Sequence, residues 1–184
     1  MRGTEWRDDV LRFWFDELTP EDRFSGKPEV DARIAERFGR LYAELKADLP
    51  EEAGSDPLTA LAAIIVLDQF PRNLFRRRPE AFATDAQARA IALQALDRRL
   101  DARLDEAQRQ FLYMPLMHSE DLADQERCVE LFSGTANETA LQYAIEHRDI
   151  IARFGRFPHR NRVLGRETTP EEAAFLESHS GYGQ

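Results

Sequence analysis

Residues 58–67 read LTALAAIIVL, and a helix drawn through them has no polar face. Such a segment cannot lie on a surface, so the chain must place this helix at its centre and wrap other elements around it. Asp56 and Pro57 supply its start, as N-cap and first helical position. Pro71 is expected to end it, because proline disfavours helical geometry in the preceding residue and donates no ladder hydrogen bond. The apolar run falls short of the roughly 18 residues a bilayer span needs, so no membrane association is expected.

Apolar residues recur at spacings of three and four along most of the remaining chain, and strand-type alternation is absent. A first helix over residues 4–18 follows Thr4 and carries Trp6, Val10, Phe13 or Trp14, and Leu18 on its inner stripe. A second over 28–48 opens with Pro28 and buries Val30, Ile34, Phe38, Leu41 and Leu45. Thr84 with Gln87 forms a capping-box pair that opens a helix over 85–100, with Ala88, Ile91, Ala92, Ala95 and Leu96 inward. A short helix over 106–114 stops at Pro115, and another follows over 116–132. Thr135 with Glu138 starts a long helix to Phe154, which Gly155 closes. Thr169, Pro170 and Glu172 mark a final short one. The chain thus reads as a single all-α domain over residues 1–184, with seven or eight helices in antiparallel hairpins. A chain of 184 residues has enough length to bury a sizeable core.

Several polar residues fall where apolar ones belong. On the long helix the stripe Ala140, Ala144, His147, Ile151, Phe154 turns His147 inward, and on the helix before it the stripe His118, Leu122, Gln125, Val129, Phe132 does the same for His118, with Asp121 three residues on. Asp68 sits at the C-terminal end of the apolar helix, where the helix dipole disfavours an anion, and it needs a cation: Arg72 one turn on, or Arg160. Each has a bland reading, as a hydrogen-bonded core histidine or a turn-fixing ion pair, and a sharper one, as the lining of one pocket. The spacing of His118, Asp121, His147 and His159 matches no metal motif, so neither metal nor cofactor is expected.

Charge is segregated as well. The chain carries a net −9, yet residues 71–79 hold Arg72, Arg76, Arg77 and Arg78 with no acid, and residues 153–166 hold Arg153, Arg156, Arg160, Arg162 and Arg166 with none. Both stretches contain one phrase, Phe70-Pro71-Arg72-Asn73 and Phe157-Pro158-His159-Arg160-Asn161. The acidic total argues against general nucleic-acid binding, whereas the planar fork of arginine suits a local carboxylate or phosphate site. Cys128 lies beside an inward stripe and reads as a buried, inert thiol. A lone cysteine makes no intramolecular disulfide, and the opening Met-Arg-Gly-Thr-Glu-Trp has no signal-peptide apolar region, so a cytoplasmic location is expected. Gly-rich phosphate loops, nucleophile elbows and zinc-protease helices are absent.

The segments Val10 to Phe15 (VLRFWF), Val66 to Asn73 (VLDQFPRN), Ala81 to Ala88 (AFATDAQA), Phe111 to Glu126 (FLYMPLMHSEDLADQE) and His147 to Gly165 (HRDIIARFGRFPHRNRVLG) resemble the bacterial family known as domain of unknown function 924. The resemblance implies a compact all-α fold similar to tetratricopeptide-like helical hairpins, and no established activity. The chain departs from the family pattern at Phe24-Ser25-Gly26-Lys27-Pro28, where members carry a tryptophan pair, and at Glu51-Glu52-Ala53-Gly54, where they carry another tryptophan.

Three functions compete. The leading expectation is a small anionic ligand or acidic peptide end held in a groove lined by Asp68, Arg72, Asn73, His118, Asp121, His147, Arg156, His159 and Arg160. A second is a hydrolase with His118 or His147 as general base, oriented by Asp121 or Asp149. The third is a protein-interaction scaffold in which the same residues are structural. Oligomeric state stays open.

Overall fold

The computed structural model describes residues 3–179. Ten α-helical segments follow in chain order: α1 (Glu5–Arg12), α2 (Pro28–Ala47), α3 (Pro57–Ile64), α4 (Phe70–Leu74), α5 (Asp85–Asp97), α6 (Glu106–Met117), α7 (Leu122–Ser133), α8 (Glu138–Phe154), α9 (Asn161–Leu164) and α10 (Pro170–Ser178). The described residues contain no strand, so the all-α expectation holds. The segments beyond seven or eight are the short α4 and α9. No helix among the described residues is long and apolar enough to cross a membrane.

The apolar run takes the central place its composition demands. The Asp56 side chain accepts from the Thr59 amide at 2.8 Å and caps α3. Leu61 to Leu67 are all fully buried, and α3 packs against α1, α5 and α6. An aromatic cluster drawn from the π turn Phe13–Glu17 and from α2, α4 and α6 closes over it. The rings of Phe13 and Phe38 lie 5.1 Å apart, Phe38 and Phe70 5.0 Å, and Trp14 and Phe111 5.4 Å. The α2 stripe is Val30, Ile34, Phe38, Tyr42 and Leu45, with Leu41 at its edge.

Pro71 does not end the central helix. A π turn over Ile65–Gln69 carries the chain from α3 into α4, and Pro71 sits at the start of α4. The wider turn takes in one extra residue and makes room for the proline ring. Proline leaves the carbonyl four residues back without its usual donor. That carbonyl, on Leu67, instead accepts from the Thr84 hydroxyl at 2.5 Å. Thr84 therefore makes no capping bond to α5, and Gln87 donates to the Lys46 carbonyl, so the expected capping box is absent.

Similar competition moves other boundaries. Thr4 caps nothing with its side chain. The Thr135 hydroxyl donates to the Phe132 carbonyl, and Asn137 caps α8 instead, accepting from the Ala140 amide at 2.9 Å. Pro115 lies inside α6, which runs two residues further to Met117. A proline in the last turn costs only the bond its missing N–H would have made. The start at Thr169 and Pro170 is as expected, with a complete capping box to Glu172, and Gly155 closes α8 at φ +68°.

Candidate functional site

The later α6 end and the later α7 start change what His118 is. It terminates α6 rather than opening α7, and the buried side of α7 is Asp124, Gln125, Cys128 and Phe132, with Leu122 exposed. The last carbonyls of a helix need outside donors. Buried Gln125 supplies them for Leu116, Met117 and Ser119, at 3.3, 2.7 and 2.7 Å, and Arg160 donates to the His118 carbonyl at 3.1 Å. His118 is thereby fixed against Asp68, fifty residues away in the chain, with Nδ1 2.8 Å from Oδ1.

Asp68 is fully buried. Its second oxygen accepts from Gln69, and Arg72 lies 3.6 Å from the first. Burial alone would raise the Asp68 carboxyl, but the charge and hydrogen bond of His118, the charge of Arg72 and the Gln69 amide outweigh it and hold the group below the ordinary range. Burial lowers His118, with Arg72 adding to the effect and Asp68 opposing it. An ionised Asp68 accepts only, so Nδ1 of His118 carries the proton between them, and Nε2 holds the lone pair when the ring is neutral. Among the described residues, the hydrogen bond of the His118 ring is the one from Nδ1 to Asp68.

Behind this pair lies a second layer of charge. Arg72 forks onto Asp85 at 3.0 and 3.1 Å. Arg160 reaches the same carboxylate at 3.8 Å, its guanidinium 4.7 Å from the Phe82 ring centroid and 4.6 Å from that of Phe157. The two Phe-Pro phrases thus bring their arginines to one aspartate. Burial lowers Arg160 to about 10, with Arg72 adding to the effect. His147 donates from Nδ1 to the Tyr143 carbonyl at 2.7 Å, one turn back, and burial pushes it down to about 3.

These residues line, or directly support, a cleft of about 790 Å³. Its lining comes from the loop 23–26, the turn 72–77 and Phe82, from the α6 residues Gln110, Met114 and Met117 with His118, from α8 between Asn137 and His147, and from Val163, Ser178 and His179. Among the wall arginines, Arg23 donates to the carbonyls of Trp14, Phe15 and Leu18, and Arg76 pairs with Asp31 at 2.8 Å. Arg77 is different. It is exposed, has a left-handed backbone at φ 60°, and forms no ion pair among the described residues. Glu146, the one acid in the lining, meets His179 at 2.8 Å.

Of the nine residues singled out in the sequence, Arg72, Asn73, His118 and His147 line the cleft, and Asp68 and Arg160 lie directly behind it. Asn73 donates to Asp31 at 2.7 Å. The other three are outside the lining. Asp121 is the exposed N-cap of α7, accepting from the Ala123 amide, so it cannot orient either histidine. Arg156 forks onto Glu172 at 2.6 and 2.9 Å. His159 packs on Phe157, with ring centroids 5.5 Å apart, and burial lowers it to about 3. No three or more His, Cys, Asp or Glu side chains among the described residues are arranged to hold a metal ion. Burial, with Asp124 adding to it, pushes the Cys128 thiol up to about 12. The sequence reading missed Arg23, Phe24, Met114, Tyr143 and Glu146. Phe24 alone had a signal, since it marks the departure from the tryptophan pair.

An all-helical protein with a deep, arginine-edged cleft beside a buried Asp–His pair is the class these features define. The chain belongs to the family described as bacterial protein of unknown function (DUF924), which it matches over residues 10–180. It is similar to the solved structure of protein of unknown function ATU0120 from Agrobacterium tumefaciens, with 38% identity and a TM-score of 0.89, over 96% of this chain and 99% of that one. No curated protein matches it.

Proposed function

We propose that the cleft binds a small anionic ligand or an acidic peptide end, in the cytoplasm. One observation carries this reading: the charged lining is Arg23, Arg72, Arg76 and Arg77 against Glu146, in a chain whose net charge is −9. A low-dielectric cleft whose lining carries an excess of one sign focuses field and concentrates counter-ions. A thermal-shift series with phosphate, acetate, citrate and a C-terminal acidic peptide tests it. Saturation near 100 times Kd adds about 2.7 kcal/mol, which for a chain of this size moves Tm by roughly 5–10 °C. The reading fails if no anion moves Tm.

A second reading rests on Asp68 and His118. A neutral imidazole with Nδ1–H held by a carboxylate and Nε2 lone pair unengaged is the arrangement a general base needs, and His118 lines the cleft. Water deprotonated at Nε2 would attack a bound ester or amide, making the protein a hydrolase. Turnover on an ester panel that survives His118→Gln sinks this alternative.

A further inference from the structure

Resting on the anion-binding reading, we propose that the occupant is an amphiphilic monocarboxylate, a single carboxylate head with an extended apolar body, rather than a bare anion. The cleft is divided by origin. All four arginines come from residues 23–77, while the lining from α6 onward brings no Lys or Arg and sets Met114, Met117, Phe132 and Tyr143 among polar groups such as Asn137 and Glu146. A ligand in contact with both stretches meets the cationic groups in the first and large apolar side chains in the second.

The head carries one charge. Arg23 is spent on three backbone carbonyls, Arg72 on Asp85 and Arg76 on Asp31. Among the described residues, Arg77 remains as the cleft arginine without an acidic partner. A dianion or polyphosphate would need further uncommitted donors, whereas a carboxylate is matched by one guanidinium.

The body is apolar and long. Of the four large hydrophobic side chains exposed among the described residues, two line this cleft, Phe24 at 58% and Tyr143 at 49%. Methionine side chains fit flexible chains better than rigid ones because they adopt many rotamers at little cost. The volume of about 790 Å³ far exceeds a lone carboxylate or phosphate and lies in the range of sites that enclose drug-sized ligands.

Calorimetric titration of the full chain with acetate, butyrate, hexanoate, octanoate and decanoate, each below its micelle concentration, tests the proposal. Inorganic phosphate and octanamide complete the set. Kd should fall about fourfold for each buried methylene, with octanamide at least tenfold weaker than octanoate. Arg77→Gln should weaken all the acids by a similar factor. Met114→Gln, checked for an unchanged melting curve, should flatten the dependence on chain length and leave acetate alone. If phosphate and all the acids bind with equal strength, anion binding stands and the amphiphilic ligand is wrong. If octanamide matches octanoate, the carboxylate head is wrong. If nothing binds, both readings fall together.

Discussion

Replacing Arg77 with glycine separates the backbone cost of the cleft mouth from its electrostatic use. Arg77 and Arg99 are the two non-glycine residues with positive φ among the described residues, at 60° and 56°, and both are exposed. A Cβ in that region costs about 1 kcal/mol or somewhat more, and glycine returns part of the gain through the larger entropy of its unfolded chain. Each glycine variant should therefore be more stable by about 0.5 kcal/mol, a rise in Tm of roughly 1–2 °C. Only one of them lies at the cleft. Arg77→Gly should weaken carboxylate binding about tenfold, a loss of about 1.4 kcal/mol, whereas Arg99→Gly should bind as the unmodified protein does. Urea melts and calorimetric titrations on the two variants make the comparison. Equal affinities would refute the role given to Arg77, and a large stability loss in both would refute the account of backbone strain.

Three further outcomes follow from the buried groups. His147 and His159 titrate near 6.5 when unfolded and at about 3 when folded, so the unfolded chain binds more protons between those values. Stability is full above pH 6.5 and falls on acidification, by about 1.4 kcal/mol per pH unit for each of these two histidines, and His147→Gln should remove one such share of the slope in urea melts from pH 7.5 to 5. Thr84→Val leaves the Leu67 carbonyl unbonded and should cost about 1–2 kcal/mol; in a Pro71→Ala background the cost should shrink, and a double-mutant cycle with no coupling would contradict the link between the two. Cys128 should resist thiol reagents in the native protein and react once urea unfolds it, and reaction without unfolding would disprove its burial.

The central helix and the α2 stripe are legible in sequence because periodicity reports how one helix faces its neighbours. Prolines and caps misled for a shared reason: a backbone group can be satisfied by a residue distant in sequence. Thr84 has the spacing of a capping box with Gln87, yet its hydroxyl serves a carbonyl seventeen residues back. Asp68 and His118 each stood out as misplaced polar residues, but no spacing joins partners fifty residues apart. Asp121 was attached to His118 because they were read on one helix; the break after Met117 puts them on different elements. The methionines and Tyr143 read as ordinary helix-face residues, because sequence does not show that a face borders a gap.

The π turn at Ile65–Gln69 fixes the phase of the site. One residue advances an α-helix by about 100°, so a turn that holds one too many rotates everything beyond it relative to everything before. The buried run ahead of the turn is locked by the core on every side, and the rotation falls on the segment that presents Asp68 to His118 and Arg72 to Asp85. No substitution that keeps the chain length can cancel it. Removing a single residue from 65–69 would, and it would swing the Asp68 carboxylate away from the His118 imidazole.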